Sequence, residues 1–447
     1  MTHKKTIRAI HIFMVALLLN SHQLLAQDST VTLTLKDAID LSIKNSKQLK
    51  NYRAKIDEAS AAVQEAKDGR LPDFKISGSY LRLNNPNVNL QTKSGSGSSS
   101  ADSNKIKVSS ALYGIANISY PIYSGMRIQY GIESAKYLEQ AVKLDAENNR
   151  GAVILNAISA YVNLYKSKTA VDLVKENLEQ SRKRDTDFSS LEKNGLLARN
   201  DLLKAELQTS NIELSLFDAT SNWKLANVNM NILLGLPERT MILMDTSNIK
   251  APDPLQTIED YEKEALQNRK DMKALSFRKK AAETGIKIAK SDYYPGIALS
   301  GGYIAADVPG LLTITNAINI GVGVQYSLSS LWKTKAKLQQ AKAREQQMQA
   351  DEEALDENVH YQINEAYQGY LQSIEKIRVY AKAIDQATEN YKITKNKYDN
   401  SLVTTTELLD ADVAQLQTRL NHTAARADAL VAYNRLLQAA GLLQSNK

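Results

Sequence analysis

Gly195-Leu196-Leu197-Ala198-Arg199-Asn200-Asp201-Leu202-Leu203-Lys204-Ala205 and Ser401-Leu402-Val403-Thr404-Thr405-Thr406-Glu407-Leu408-Leu409-Asp410-Ala411 are two versions of one stretch. Their offset is 401 − 195 = 206. Ala160-Tyr161 and Ala366-Tyr367, Gly235-Leu236 and Gly441-Leu442, and Tyr120 and Tyr326 keep that offset, so the halves align between these points without a gap. Upstream the offset changes once: Pro72 to Tyr80 parallels Pro295 to Tyr303, and Asn45 parallels Asn268, at 295 − 72 = 223. The first half therefore carries 223 − 206 = 17 additional residues between Tyr80 and Tyr120. That interval holds Asn84 to Asn104, with Ser94-Gly95-Ser96-Gly97-Ser98-Ser99-Ser100 inside it. Such composition reads as a solvated loop, where a duplicated fold best tolerates a change of length.

The duplication predicts the same elements twice. A helix of about 37 residues, near 34–70 and again near 258–293, ends before Pro72 or Pro295, because a residue preceding proline is pushed out of the helical region. Two strands follow, then a helix of about 70 residues near 125–193 and 331–399. A break at Asn194-Gly195 or Asn400-Ser401 leads into a last helix of about 35 residues. Each longest helix would reach about 100 Å at 1.5 Å per residue. Val359, Ile363, Ala366, Tyr367, Tyr370, Leu371, Ile374 and Ile377 step by threes and fours, which makes a lateral seam for a neighbouring helix.

The strands are expected near 73–83, 111–122, 296–306 and 317–327. In the last, Ile318, Ile320, Val322, Val324 and Tyr326 alternate with Asn319, Gly321, Gly323, Gln325 and Ser327. Period-two alternation gives one apolar face and one small or polar face. Phe74, Ile76 and Tyr80 repeat it, as do Ile297, Leu299 and Tyr303; the second strand is less regular, since Ile115 falls on the polar side. Segments of about ten residues can cross a bilayer when tilted. Tyr80, Tyr120, Tyr303 and Tyr326 fall where an interfacial aromatic girdle would sit, and tyrosine outnumbers phenylalanine 21 to 5, which suits rings with one wet end. Four strands cannot close a barrel, so a spanning chain must associate with copies of itself: two chains supply eight strands, three supply twelve.

The N-terminus reads as a secretory signal over 1–26: Lys4, Lys5 and Arg8, a short apolar run from Ile12 to Leu19, then Leu24-Leu25-Ala26. The apolar run is too short to span a bilayer as a helix. Without that segment the net charge falls from +7 to +4, which suggests no nucleic-acid partner. The chain has no Cys, hence neither a disulfide nor a thiol for lipid attachment. His360 and His422 lie too far apart to read as a metal motif, and no cofactor is expected. Neither Gly-x-Ser-x-Gly nor HExxH occurs, and Gly321-Val322-Gly323 lacks the continuation of a phosphate loop, so no enzyme is expected. The domain organisation is then a signal at 1–26, a first repeat at 27–240, a linker at 241–257 and a second repeat at 258–447.

This layout resembles the TolC family of outer-membrane efflux proteins over about Leu35 to Leu443. The resemblance rests on Leu35-Lys36-Asp37-Ala38-Ile39, Leu71-Pro72, Tyr120-Pro121-Ile122-Tyr123-Ser124-Gly125 and Leu233-Leu234-Gly235-Leu236-Pro237. Tyr294-Pro295, Asp410-Ala411 and Leu436-Leu437-Gln438-Ala439-Ala440-Gly441 carry it in the second half. It implies an α+β membrane protein: a homotrimer with a twelve-stranded outer-membrane β-barrel, four strands per chain. That barrel continues into a periplasmic α-helical barrel closed at its far tip. It also implies a periplasmic adaptor, an inner-membrane transporter and outer-membrane lipid as partners, with no chemistry of its own. Small-molecule efflux is the expected task; a duct for type I protein secretion and a periplasmic coiled-coil adaptor are the alternatives. Tyr326-Ser327-Leu328-Ser329-Ser330 departs from the pattern, lacking counterparts of Pro121 and Gly125.

By family position the breaks at Gly195 and Ser401 become the periplasmic turns, and Asp201, Glu407 and Asp410 fall just inside the tip. Three-fold symmetry would turn each acid into a ring favouring cations. The same acids also suit the positive end of a helix macrodipole, which requires no pore. Tyr398 matches the family's gate tyrosine. Val403 stands where a gate arginine is expected, and Arg199, on the other turn, is the candidate substitute.

Overall fold

The computed structural model describes residues 30–84, 86–88, 106–245 and 255–443. The expected signal, nearly all of the Ser/Gly-rich interval, and 246–254 of the expected linker lie outside the described residues. The order is β1 (Thr30–Thr34), α1 (Leu35–Asn45), α2 (Lys47–Asp68), β2 (Asp73–Arg82), β3 (Asn87–Val88), β4 (Ile106–Lys107), β5 (Ser110–Ser124), α3 (Arg127–Lys193) and α4 (Arg199–Leu234). Then come β6 (Met241–Asp245), α5 (Ile258–Asn268), α6 (Lys270–Ser291), β7 (Gly296–Val308), β8 (Leu312–Gln325), α7 (Ser330–Asp399) and α8 (Thr405–Ala439). Helices dominate and strands are few, an α+β fold. Among the described residues no helix is long and apolar enough to cross a membrane.

One compact unit draws on residues up to Asn51, Ala146–Lys270 and the chain from Asp356 onward. Its β1 and β6 form a parallel two-stranded sheet, Thr30 opposite Met241 through Thr34 opposite Asp245. Neither strand is expected from the sequence, and the described start of the expected linker at 241–257 is β6. Leu33 and Ile242 bury beside Tyr161, Leu164, Met230 and Leu234. The Tyr161 hydroxyl sits 3.0 Å from the carbonyl oxygens of both Leu33 and Asp245, tying strand backbone to α3. Asn227 completes the arrangement: its Nδ2 donates to the Thr240 carbonyl at 2.7 Å and its Oδ1 accepts from the Ile242 amide at 3.0 Å. Of the expected seam on α7, Val359, Ile363, Ala366 and Tyr370 are buried, while Leu371 and Ile374 are exposed.

The expected single helices over 34–70 and 258–293 are each two. Ser46 and Arg269 take extended ψ of 116° and 125° and divide them. Ser46 restarts the helix by accepting the Leu49 amide on its Oγ. Arg269 is drawn inward: its guanidinium donates to the Ala439 carbonyl at 3.1 Å and to Gln362 at 2.8 Å. Thr34 and Thr257 cap α1 and α5 identically, each forming a reciprocal capping box with the aspartate three residues on, Asp37 and Asp260.

The other unit comprises Tyr52–Asp145 and Asp271–Leu355. It holds an antiparallel sheet of order β2-β5-β7-β8. Where β5 enters α3, Gly125 and Met126 both adopt positive φ, 63° and 66°. A Cβ on Gly125 would lie 2.6 Å from the Ser291 carbonyl, so only glycine fits. At the β8–α7 junction no residue has positive φ; the bend is a hydrogen-bonded turn, with the Ser330 amide donating to the Ser327 carbonyl at 2.9 Å. Asp292 accepts from Arg127 at 3.2 Å and from Lys337 at 2.6 Å, joining the starts of α3 and α7.

Candidate membrane face and gate

Strand register sorts the sheet's side chains into two faces. Phe74 lies opposite Ile118, Ile76 opposite Ala116, and Tyr80 opposite Leu112. Across the next pairs, Tyr120 faces Leu299 and Ala116 faces Tyr303, while Ile297, Leu299 and Tyr303 meet Val324, Val322 and Ile318. All belong to one face, and it is open: Ile76 is 75% and Ile320 81% exposed. The opposite face carries Lys75, Ser77 and Ser79 on β2, Asn117 and Ser119 on β5, Gly302 and Ser300 on β7, Asn319 and Gly321 on β8. Ile115, irregular by alternation, pairs with Ile304 on this second face. Asn117 and Asn319 extend their Oδ1 atoms over Gly302, where a Cβ would meet them at 2.8 and 2.9 Å.

Tyr80 lies near the loop end of β2 and Tyr120 near the helix end of β5; Tyr326 follows β8 by one residue. Tyr303 is nearer mid-strand, but its hydroxyl reaches Asn316 Oδ1 at 3.3 Å, close to the β7–β8 turn. All four are exposed.

At the other candidate site, two helix turns meet. Gly195, with φ of 72°, lies early in the α3–α4 turn, and Ser401, with φ of 59°, early in the α7–α8 turn. Phe188, Leu202, Ala205 and Leu408 bury together, flanked by Leu197, Tyr391 and Tyr398. Tyr398 stacks on Phe188 with ring centroids 5.5 Å apart, and its hydroxyl lies 3.4 Å from Thr405 Oγ1.

The acids differ in surroundings. Glu407 is half of a helix cap: its amide donates to Thr404 Oγ1 at 3.3 Å, and its carboxylate accepts from that hydroxyl at 3.2 Å. Asp201 accepts from Lys204 at 3.3 Å, and the same ammonium reaches Thr406 across the two turns. Asp410 is exposed, with no hydrogen bond or ion pair among the described residues. Arg199 lies 3.7 Å from Glu192 on its own turn; the structure brings it to neither Tyr398 nor the acids of α8.

Two helical turns inward lies a group not expected from the sequence. Arg184 of α3 and Asp412 of α8 form an ion pair at 2.8 Å with side chains only 9% and 2% exposed. Asn177 donates to the other Asp412 oxygen at 3.1 Å, and Arg184 also donates to Ser181, which shares a 2.7 Å hydrogen bond with Thr209 of α4. Tyr391 of α7 adjoins them; burial first, then the Asp412 carboxylate, pushes its phenol up. Spacing held the signal. Thr405, Leu408, Leu409 and Asp412 form the buried stripe of α8, so a carboxylate there needs a partner.

Residues 38–236 and 262–442 match the family model described as outer membrane efflux protein. The outer membrane protein TolC of Vibrio cholerae serotype O1 is 22% identical over 415 residues, covering 90% of this chain and 89% of that one. A membrane protein from Pseudomonas aeruginosa superposes with a TM-score of 0.78 at 15% identity, covering 93% and 92% of the two chains. The Campylobacter jejuni CmeC outer membrane channel superposes at 0.76 with 17% identity, covering 92% and 87%. These likenesses show the fold.

Proposed function

The chain belongs to the outer membrane efflux protein family, and it is an outer-membrane protein; from that premise we propose that three copies close a twelve-stranded barrel and act as a passive exit duct. The sheet carries this reading. Its exposed apolar face suits lipid and not water, and among the described residues β2 and β8 leave both edges of the sheet unpaired. Inside a bilayer every backbone group must be satisfied, so those edges require strands of neighbouring copies. Three chains give twelve strands and an open lumen, lined by the small and polar face. Tyr80, Tyr120, Tyr303 and Tyr326 then serve as the interfacial girdle against outer-membrane lipid.

Matching capping boxes at Thr34 and Thr257, and the matched lengths of α3 with α7 and α4 with α8, support an internal two-fold repeat. Paired helices of this length make a periplasmic α-barrel long enough to meet a periplasmic adaptor and inner-membrane transporter. Small molecules handed over by that transporter are the cargo we assign. The duct needs no catalysis, since the energy comes from the pump.

Among the acids at the turns, Asp410 is the best placed to act as a ring. Asp201 is offset by Lys204, and Glu407 is engaged as a cap. Tyr398 closes the turn against Phe188, with Arg199 on the rim. Planar-bilayer recordings test the ring: the Glu407→Gln/Asp410→Asn variant loses cation preference, whereas unchanged reversal potentials in a salt gradient would refute it.

A further inference from the structure

We propose that the buried Arg184–Asp412 pair is the latch of this duct, pinning the α3–α4 hairpin to the α7–α8 hairpin within each chain and setting how readily the two turns separate. The proposal rests on the channel reading above.

Helices α3 and α8 meet along an antiparallel seam marked by three ion pairs. Lys166 pairs with Asp428 at 2.7 Å, Glu176 with Arg419 at 2.9 Å, and Arg184 with Asp412 at 2.8 Å. Charge alternates along each helix: plus, minus, plus on α3 against minus, plus, minus on α8. Sliding one helix by a single rung sets like charge against like, so the ladder specifies register.

The rungs are unequal. The side chains of Lys166 and Asp428 are 30% and 55% exposed, so water and salt screen that pair. Glu176 and Arg419 are similarly open. Only the rung nearest the turns is enclosed, and only there does losing one partner leave a buried charge uncompensated. Such a contact is close to all-or-none: complete it holds, and with one partner displaced it strongly destabilises the packed state.

Its surroundings make the pair a junction of four helices. Asn177 and Ser181 on α3, Thr209 on α4 and Tyr391 on α7 all meet the two charged groups directly or through one hydroxyl. Arg184 Nε is buried without a hydrogen-bond partner among the described residues, and Asp412 is the carboxylate that pairs with this guanidinium. Asp412 lies seven residues into α8 from Thr405, or about 10 Å along the axis at 1.5 Å per residue. The latch therefore sits behind the turns instead of on them, out of reach of salt in the pore.

The experiment is single-channel recording of the full-length protein, purified from outer membranes, for wild type, Asp412→Asn, Arg184→Lys and the charge exchange Arg184→Asp/Asp412→Arg. Asp412→Asn is expected to raise the open fraction at least about tenfold, at both low and high salt, by stranding the Arg184 charge. Arg184→Lys keeps the charge but removes the Nη2 that donates to both Asp412 and Ser181, and gives a smaller rise. The exchange variant returns toward wild type. Open fractions equal to wild type in Asp412→Asn overturn the latch and leave the channel standing. If Asp412→Asn does not reach the outer membrane, Arg184→Lys decides in the same way. A wild-type protein that conducts nothing overturns the channel reading and the latch together.

Discussion

At Tyr161 one hydroxyl serves two strand carbonyls, Leu33 and Asp245. Tyr161→Phe should cost about 1–3 kcal/mol by leaving buried carbonyl oxygen unpaired, read as a lower midpoint in denaturant. Burial, then Asp245 and Asp37, pushes its pKa up to about 12 from 10.0. The folded protein therefore keeps the proton that the unfolded chain releases. Stability should hold below pH 10, fall as pH rises toward about 12, and fall less in Tyr161→Phe. Gly441, with φ of 70°, lies where a Cβ would meet the Arg269 amide nitrogen at 2.9 Å. Gly441→Ala should lose about 1–3 kcal/mol of stability, more than an alanine at Gly131, which has open space around it. Single residues were unevenly legible. Asp201, Glu407 and Asp410 stood out because they flank visible turns, and Glu407 is in addition hydrogen-bonded to the Thr404 cap. Asp412, two positions from Asp410, lay in the buried stripe, and its meaning depends on Arg184, 228 residues away.

The elements were legible wherever periodicity ran long. The strands formed within about two residues of expectation except for the earlier start of β8, and α3, α4, α7 and α8 began and ended close to their anticipated bounds. The failures share a cause: contacts distant in sequence. Neither Pro nor Gly marks Ser46 or Arg269, and the second break is made by the bonds of Arg269 to Ala439 and Gln362. Strands β1 and β6 are five residues each and find one another across the intervening helices. The two faces of the large sheet supply the test at this scale. Val322→Lys, on the apolar face, should cost about 2–4 kcal/mol at mid-bilayer and sharply reduce the protein recovered from outer membranes. Ser300→Lys, on the polar face, should insert normally. Equal recovery of the two variants would mean the faces have been assigned wrongly.

For the molecule as a whole, the repeat read from the sequence carried most of the expected plan, because two halves expected to agree on turns, strands and helix lengths constrain one another. On the proposed reading, the exposed apolar face and the two sheet edges left open among the described residues call for further copies, and the number of copies decides between a plug and a passage. The number of chains per particle is therefore the central quantity. Protein extracted from outer membranes in mild detergent and measured by native mass spectrometry should register three chains per particle, dissociating to one on heating. A single chain, or a protein recovered soluble from the periplasm, would contradict the barrel and the duct with it.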